Sequence, residues 1–68
     1  MKKNIRRFLR ALEDGEFHNL EDLSRKLNMP LELLVAFSNF LKKWDFADFD
    51  EEGRRVRLKP DFLELPRD

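Results

Sequence analysis

The stretch NLEDLSRKLNMPLELL, residues 19–34, decides how this chain folds. Asn19 is placed to cap a helix by accepting a backbone N–H bond, and Asp22 falls in the first turn, where the helix dipole favours negative charge. Leu20, Leu23 and Leu27 recur at i, i+3 and i+7 and make one apolar stripe. Asn28 suits the left-handed conformation that ends a helix. Pro30 suits the start of the next helix, where a missing N–H costs nothing. A helix over residues 20–27, a tight turn and a second helix from residue 31 make a helix-turn-helix, whose second helix can enter a nucleic-acid groove.

On the N-terminal side, Ile5, Phe8, Leu9 and Leu12 follow the amphipathic pattern and predict a helix over residues 3–14, with Gly15 as its stop. Arg6, Arg7 and Arg10 lie off that stripe. Glu16-Phe17-His18 reads as a short extended link with Phe17 turned inward. On the C-terminal side, the third helix is expected over residues 31–44. At about 100° per residue, Leu34, Phe37, Leu41 and Trp44 cluster on one side, with Ser38 beside them and Leu33 and Phe40 on the flank. The opposite side carries Glu32, Val35, Ala36, Asn39, Lys42 and Lys43. Leu31, Leu33, Phe40 and Trp44 are expected mostly in the core. Left exposed, Leu33, Phe40 or Val35 would mark a partner or dimer surface.

After Trp44 the period changes. Residues 46–50 read as extended, and Arg54-Arg55-Val56-Arg57-Leu58-Lys59 alternates charged and apolar, the period of a half-buried strand. Glu51-Glu52-Gly53 makes the turn, with Gly53 able to take a positive φ. This hairpin should face the helices with Val56 and Leu58 and water with Arg55, Arg57 and Lys59. Pro60 ends the strand, and residues 61–65 predict a terminal turn with Phe62 and Leu65 packing back. The expected core is Phe8, Leu12, Leu23, Leu34, Phe37, Leu41, Val56 and Leu58.

At 68 residues the chain reads as one small domain with a thin core. It has no cysteine, so neither disulfides nor thiolate metal sites are expected, and His18 is its only histidine. No metal or other cofactor is expected. Asp45, Asp48, Asp50, Glu51 and Glu52 lack calcium-loop spacing. No apolar run approaches a membrane span and no signal-peptide core follows the basic N-terminus, so a cytoplasmic chain is expected. The 14 basic and 14 acidic residues cancel, unlike the strong basic excess of a DNA-coating protein. Charge is nevertheless blocked: residues 1–10 and 53–59 are purely basic, and residues 11–24 and 44–52 purely acidic. The 41% charged content without cysteine or glutamine suits a thermophile. No nucleophile–base arrangement, glycine-rich phosphate loop or paired catalytic carboxylates appear, so no enzyme is expected.

Helix, short strand, helix, turn, helix and hairpin is the order of a winged helix. The run from Leu41 through Lys42-Lys43-Trp44-Asp45-Phe46-Ala47-Asp48-Phe49-Asp50-Glu51-Glu52-Gly53-Arg54-Arg55-Val56-Arg57 to Leu58 resembles the third-helix end and wing of small archaeal winged-helix proteins. The resemblance implies a mainly α winged helix-turn-helix, three helices plus a small C-terminal β-hairpin wing. It also implies duplex DNA as partner and a role in transcription regulation. In that reading the third helix enters the major groove through Ala36, Asn39, Lys42 and Lys43, and Arg54, Arg55 and Arg57 of the wing hold the backbone. Asn39 would read adenine and Lys43 would hold a phosphate. Lys2, Lys3, Arg6 and Arg7 could track the backbone from the first helix.

The outer face of the third helix departs from the DNA-binding pattern. Val35 and Ala36 are apolar, and Glu32 repels phosphate unless it accepts from a cytosine amino group. Winged helices also serve as protein-interaction modules. A protein partner, or a second copy, held by the apolar part of the third helix is therefore the competing expectation. The arginine-rich strand has a plainer reading too, as a charged edge that resists aggregation.

Overall fold

The chain runs α1 (Lys2–Ala11), β1 (His18–Asn19), α2 (Leu20–Leu27), α3 (Leu31–Lys43), β2 (Ala47–Asp50) and β3 (Arg55–Leu58) in a computed structural model that describes residues 2–60, with side chains from residue 3. The turn expected at residues 61–65, with Phe62 and Leu65, lies outside the described residues. Three helices and a three-stranded antiparallel sheet make a mainly helical fold.

α1 is shorter than its apolar period suggests. From Leu12 the bonds tighten to i→i−3, with Leu12 N–H to Leu9 O at 3.0 Å and Gly15 N–H to Leu12 O at 3.2 Å. Gly15, at φ 75°, then turns the chain away. α2 begins where expected, because Asn19 Oδ1 accepts from the N–H groups of Glu21 (2.8 Å) and Asp22 (3.2 Å). It also ends where expected. Asn28 sits at φ 54°, and Met29 N–H reaches back to Ser24 O at 3.0 Å. Pro30 stands one residue before α3 and not inside it; its carbonyl accepts from Leu33 and Leu34 N–H. α3 closes with the same left-handed device, unanticipated in the sequence. Asp45 takes φ 64° and Phe46 N–H reaches Leu41 O at 2.8 Å.

The expected two-stranded hairpin is part of a larger sheet. β3 is central, in the order β1-β3-β2. Ala47 pairs with Leu58 and Phe49 with Val56, while His18 of β1 faces Val56 from the other side. Strand alternation then sends Val56 and Leu58 inward and sets Asp48 opposite Arg57 and Asp50 opposite Arg55 on the outer face. The turn corrects the role given to Gly53. The positive φ belongs to Arg54, at 52°. A Cβ at Gly53 would lie 2.9 Å from Asp50 Oδ2 and 3.0 Å from Arg55 Nε, so the ends of those two side chains would have to shift to admit one.

The core joins Phe8, Leu12, Leu23, Leu34, Leu41, Val56 and Leu58 as expected, and adds Leu20, Met29 and Ala47. Four aromatic placements differ from expectation. Phe37 is only half-buried, its ring 5.6 Å from that of Phe8. Phe17, expected inward, is 44% exposed, because pairing His18 with Val56 leaves the preceding residue outside the sheet. Phe40 and Trp44, expected mostly in the core, are 54% and 57% exposed. Phe40 lies about 120° around the helix from Leu34, beyond the reach of a core this thin. Leu31 and Leu33 are half-buried.

Leu34 is fully buried and Phe40 is not, so the two substitutions should separate. Leu34→Ala should lower the unfolding free energy by about 2–5 kcal/mol. Phe40→Ala should change it by no more than about 0.5 kcal/mol. Chemical denaturation of both variants measures the difference.

Candidate functional site

The residues singled out in the sequence sit on the exposed side of α3 and on the outer face and turn of the β2–β3 hairpin. Ala36, Asn39, Lys42 and Lys43 are all exposed along α3. Between α3 and the hairpin lies an open groove of about 430 Å³. Its walls include the half-buried Leu31, Val35 and Phe49, with Glu32, Asn39, Glu51 and Arg54 at the rim. Asn39 and Arg54 thus line the same groove. The groove itself is apolar, with carboxylates beside it.

The cations of the hairpin are engaged with acids of the hairpin and of neighbouring segments. Arg57 Nη2 meets Asp48 Oδ2 at 2.8 Å, and Arg55 Nη2 meets Asp50 Oδ2 at 3.0 Å, each across the strand register. Arg54 reaches Glu21 of α2 at 4.0 Å, and Lys42 of α3 reaches Glu51 at 3.8 Å. Lys59 is held by Asp45 at 2.5 Å. Arg57 was expected to face water but is half-buried. Its guanidinium lies 4.7 Å from the Phe17 ring centroid, and its buried Nε has no hydrogen-bond partner. Arg57 is therefore a strut between Phe17 and Asp48. Arg55 also approaches Phe17, at 5.8 Å.

Asp50 is the hub of the turn. The Arg55 guanidinium, with the Gly53 N–H at 3.3 Å, holds its carboxyl below the ordinary value of 3.8. Asp14 is lowered in the same sense, first by the Glu16 N–H at 2.9 Å and then by His18, whose Nε2 lies 2.9 Å from Oδ1. Among the described residues no group of three or more His, Asp or Glu is arranged to hold a metal ion. No described helix is long and apolar enough to cross a membrane.

The surface that sequence reasoning misplaced is the C-terminal half of α3. Phe40 stands out from it and Trp44 from its C-cap, Phe46 just beyond is 39% exposed, and Lys43 Nζ lies 6.0 Å from the Trp44 ring. The helical wheel carried the signal only in part: it put Phe40 on the flank of the apolar face, without saying how far the core extends. Comparison with protein-family models, with curated proteins and with solved structures finds no match for this chain.

Both carboxyls are lowered in the folded state, so what they contribute is complete above their ordinary pKa and is lost as pH falls through the lower folded value. The melting temperature should therefore fall on acidification between about pH 5 and pH 2. Asp50→Asn should make that fall shallower, which thermal unfolding monitored by circular dichroism across this range will measure.

Proposed function

We propose that this chain is a winged helix acting as a protein-interaction domain, and that the C-terminal half of α3 is its contact surface. The element order and the β1-β3-β2 sheet support the winged-helix reading, with the β2–β3 hairpin as the wing. In this reading the chain binds and does not catalyse.

One observation carries the interaction reading. The wing's positive charge is matched by carboxylates of the same chain, while Phe40 and Trp44 remain more than half exposed. Covering the exposed part of such a ring removes on the order of 100 Å² from water, about 2.5 kcal/mol each at about 25 cal/mol per Å². Exchanging a carboxylate for a phosphate at an exposed arginine gains far less, because the displaced acid stays nearby and repels. Phe and Trp are also the anchor types that dominate protein interfaces. Zero net charge leaves little repulsion between copies, so the partner set includes a second copy of the chain.

Trp44 is the only tryptophan, which makes the surface self-reporting. Its emission should shift to the blue when a partner covers it. Phe40→Ser with Trp44→Ser should abolish concentration-dependent association in sedimentation, together with capture of any protein that the parent chain retains. A parent chain that stays monomeric at high concentration, and whose captured proteins are unchanged by the double substitution, would overturn the reading.

Duplex DNA binding for transcription regulation is the second reading. It is favoured by the joint exposure of Ala36, Asn39, Lys42 and Lys43 on α3, with Arg54 across the groove. It predicts that Arg54→Ala with Arg55→Ala weakens binding alike on all sequences and flattens the log–log salt slope by about 0.9 per lost phosphate contact. Asn39→Ala should instead relax one base position at a cost of about 1–3 kcal/mol. Duplex titrations at low and moderate salt decide it, and a parent chain that binds no duplex at low salt rejects it.

A further inference from the structure

We propose that α1 carries a second, separate surface that seats the sugar–phosphate backbone of a nucleic-acid duplex without reading its sequence. Lys3, Arg6, Arg7 and Arg10 follow one another at helical spacing and together line a groove of about 300 Å³. No described carboxylate lies within ion-pair distance of these four residues. The contrast is with the wing, where Arg54, Arg55 and Arg57 each face an acid. Arg7 is held in place by donating to the Leu27 carbonyl, at 2.7 Å, at the C-terminal end of α2. That contact leaves an anchored guanidinium in the stripe, with no described carboxylate within ion-pair distance.

The chemistry of the stripe selects its partner. Three guanidinium forks and one ammonium suit phosphate oxygens. At about 1.5 Å per residue the stripe spans roughly 10 Å, the axial rise of about three nucleotides of one strand. A lipid surface fits less well, because Phe8 of α1 and Leu12 just after it are buried in the core and cannot insert. A protein partner fits less well too. The large exposed apolar residues among those described are Phe17, Phe40, Trp44 and Phe46, and none is on α1 to serve as an anchor. The same absence removes the stacking platform that single strands require.

The test is fluorescence anisotropy of a labelled 20-base-pair duplex of arbitrary sequence, about 20 base pairs being ample for a contact of this span. Three to four phosphate contacts predict a loss of roughly 40- to 150-fold in affinity between about 50 and 200 mM salt. Arg6→Glu with Arg10→Glu should abolish binding while circular dichroism stays native, and Arg6→Lys with Arg10→Lys should retain most of it. Arg54→Ala with Arg55→Ala, and Phe40→Ser with Trp44→Ser, should leave it unchanged. Those two controls make failure here distinguishable from failure of either reading above. Absence of binding at low salt, equal loss in the wing variant, or equal salt-sensitive binding to anionic phosphatidylserine vesicles would each overturn the proposal.

Discussion

Everything in this fold hangs on the absence of slack between β1 and α2. Asn19 is the last residue of β1 and the cap of α2 at once. Its carboxamide oxygen accepts from the first turn of α2, and its Nδ2 donates to Gly53 O in the β2–β3 turn at 3.4 Å. The next residue, Leu20, gives its N–H to Arg54 O at 2.7 Å and buries its side chain completely. The β2–β3 turn, β1 and α2 are thus coupled through two adjacent residues. Val56, paired with both His18 and Phe49, sits under the same junction. A register slip of one residue in β3 would turn Val56 and Leu58 to solvent and the arginines to the core.

That register also decides the electrostatics. Because inward and outward residues alternate, the same pairing that buries Val56 and Leu58 lines up Asp48 with Arg57 and Asp50 with Arg55. The outer face of the sheet becomes a set of matched pairs roofed by Phe17, and the β2–β3 hairpin loses much of its basic character. In the linear sequence the blocks at residues 44–52 and 53–59 look like separate acidic and basic surfaces. Folding superposes them. Lys3, Arg6, Arg7 and Arg10 of α1 have no such counterpart among the described residues.

Local rules sufficed wherever the determinant was local. The bounds of α2, the Asn19 cap and the left-handed Asn28 were legible because each depends on a few neighbouring residues. So were the inward faces of α1 and β3, which follow from period alone. Gly53 was read as the residue with positive φ because glycine tolerates it best. Arg54 takes that conformation instead, with its carbonyl fixed by Leu20 N–H. Asp45 likewise adopts a left-handed conformation that only the closure of α3 onto β2 requires.

By itself, then, the sequence determined the order of helices and strands, the faces they bury and most of the core, because periodicity and capping act over a few residues. It also set the candidate surface on α3, since Ala36, Asn39, Lys42 and Lys43 share one side of any helix drawn through them. Only the tertiary structure decided which charges remain unmatched and which aromatic rings remain exposed. Both depend on distance through space. Arg57 meets Asp48 across a strand pair, and Phe40 and Trp44 lie outside because the core of so short a chain ends before it reaches them.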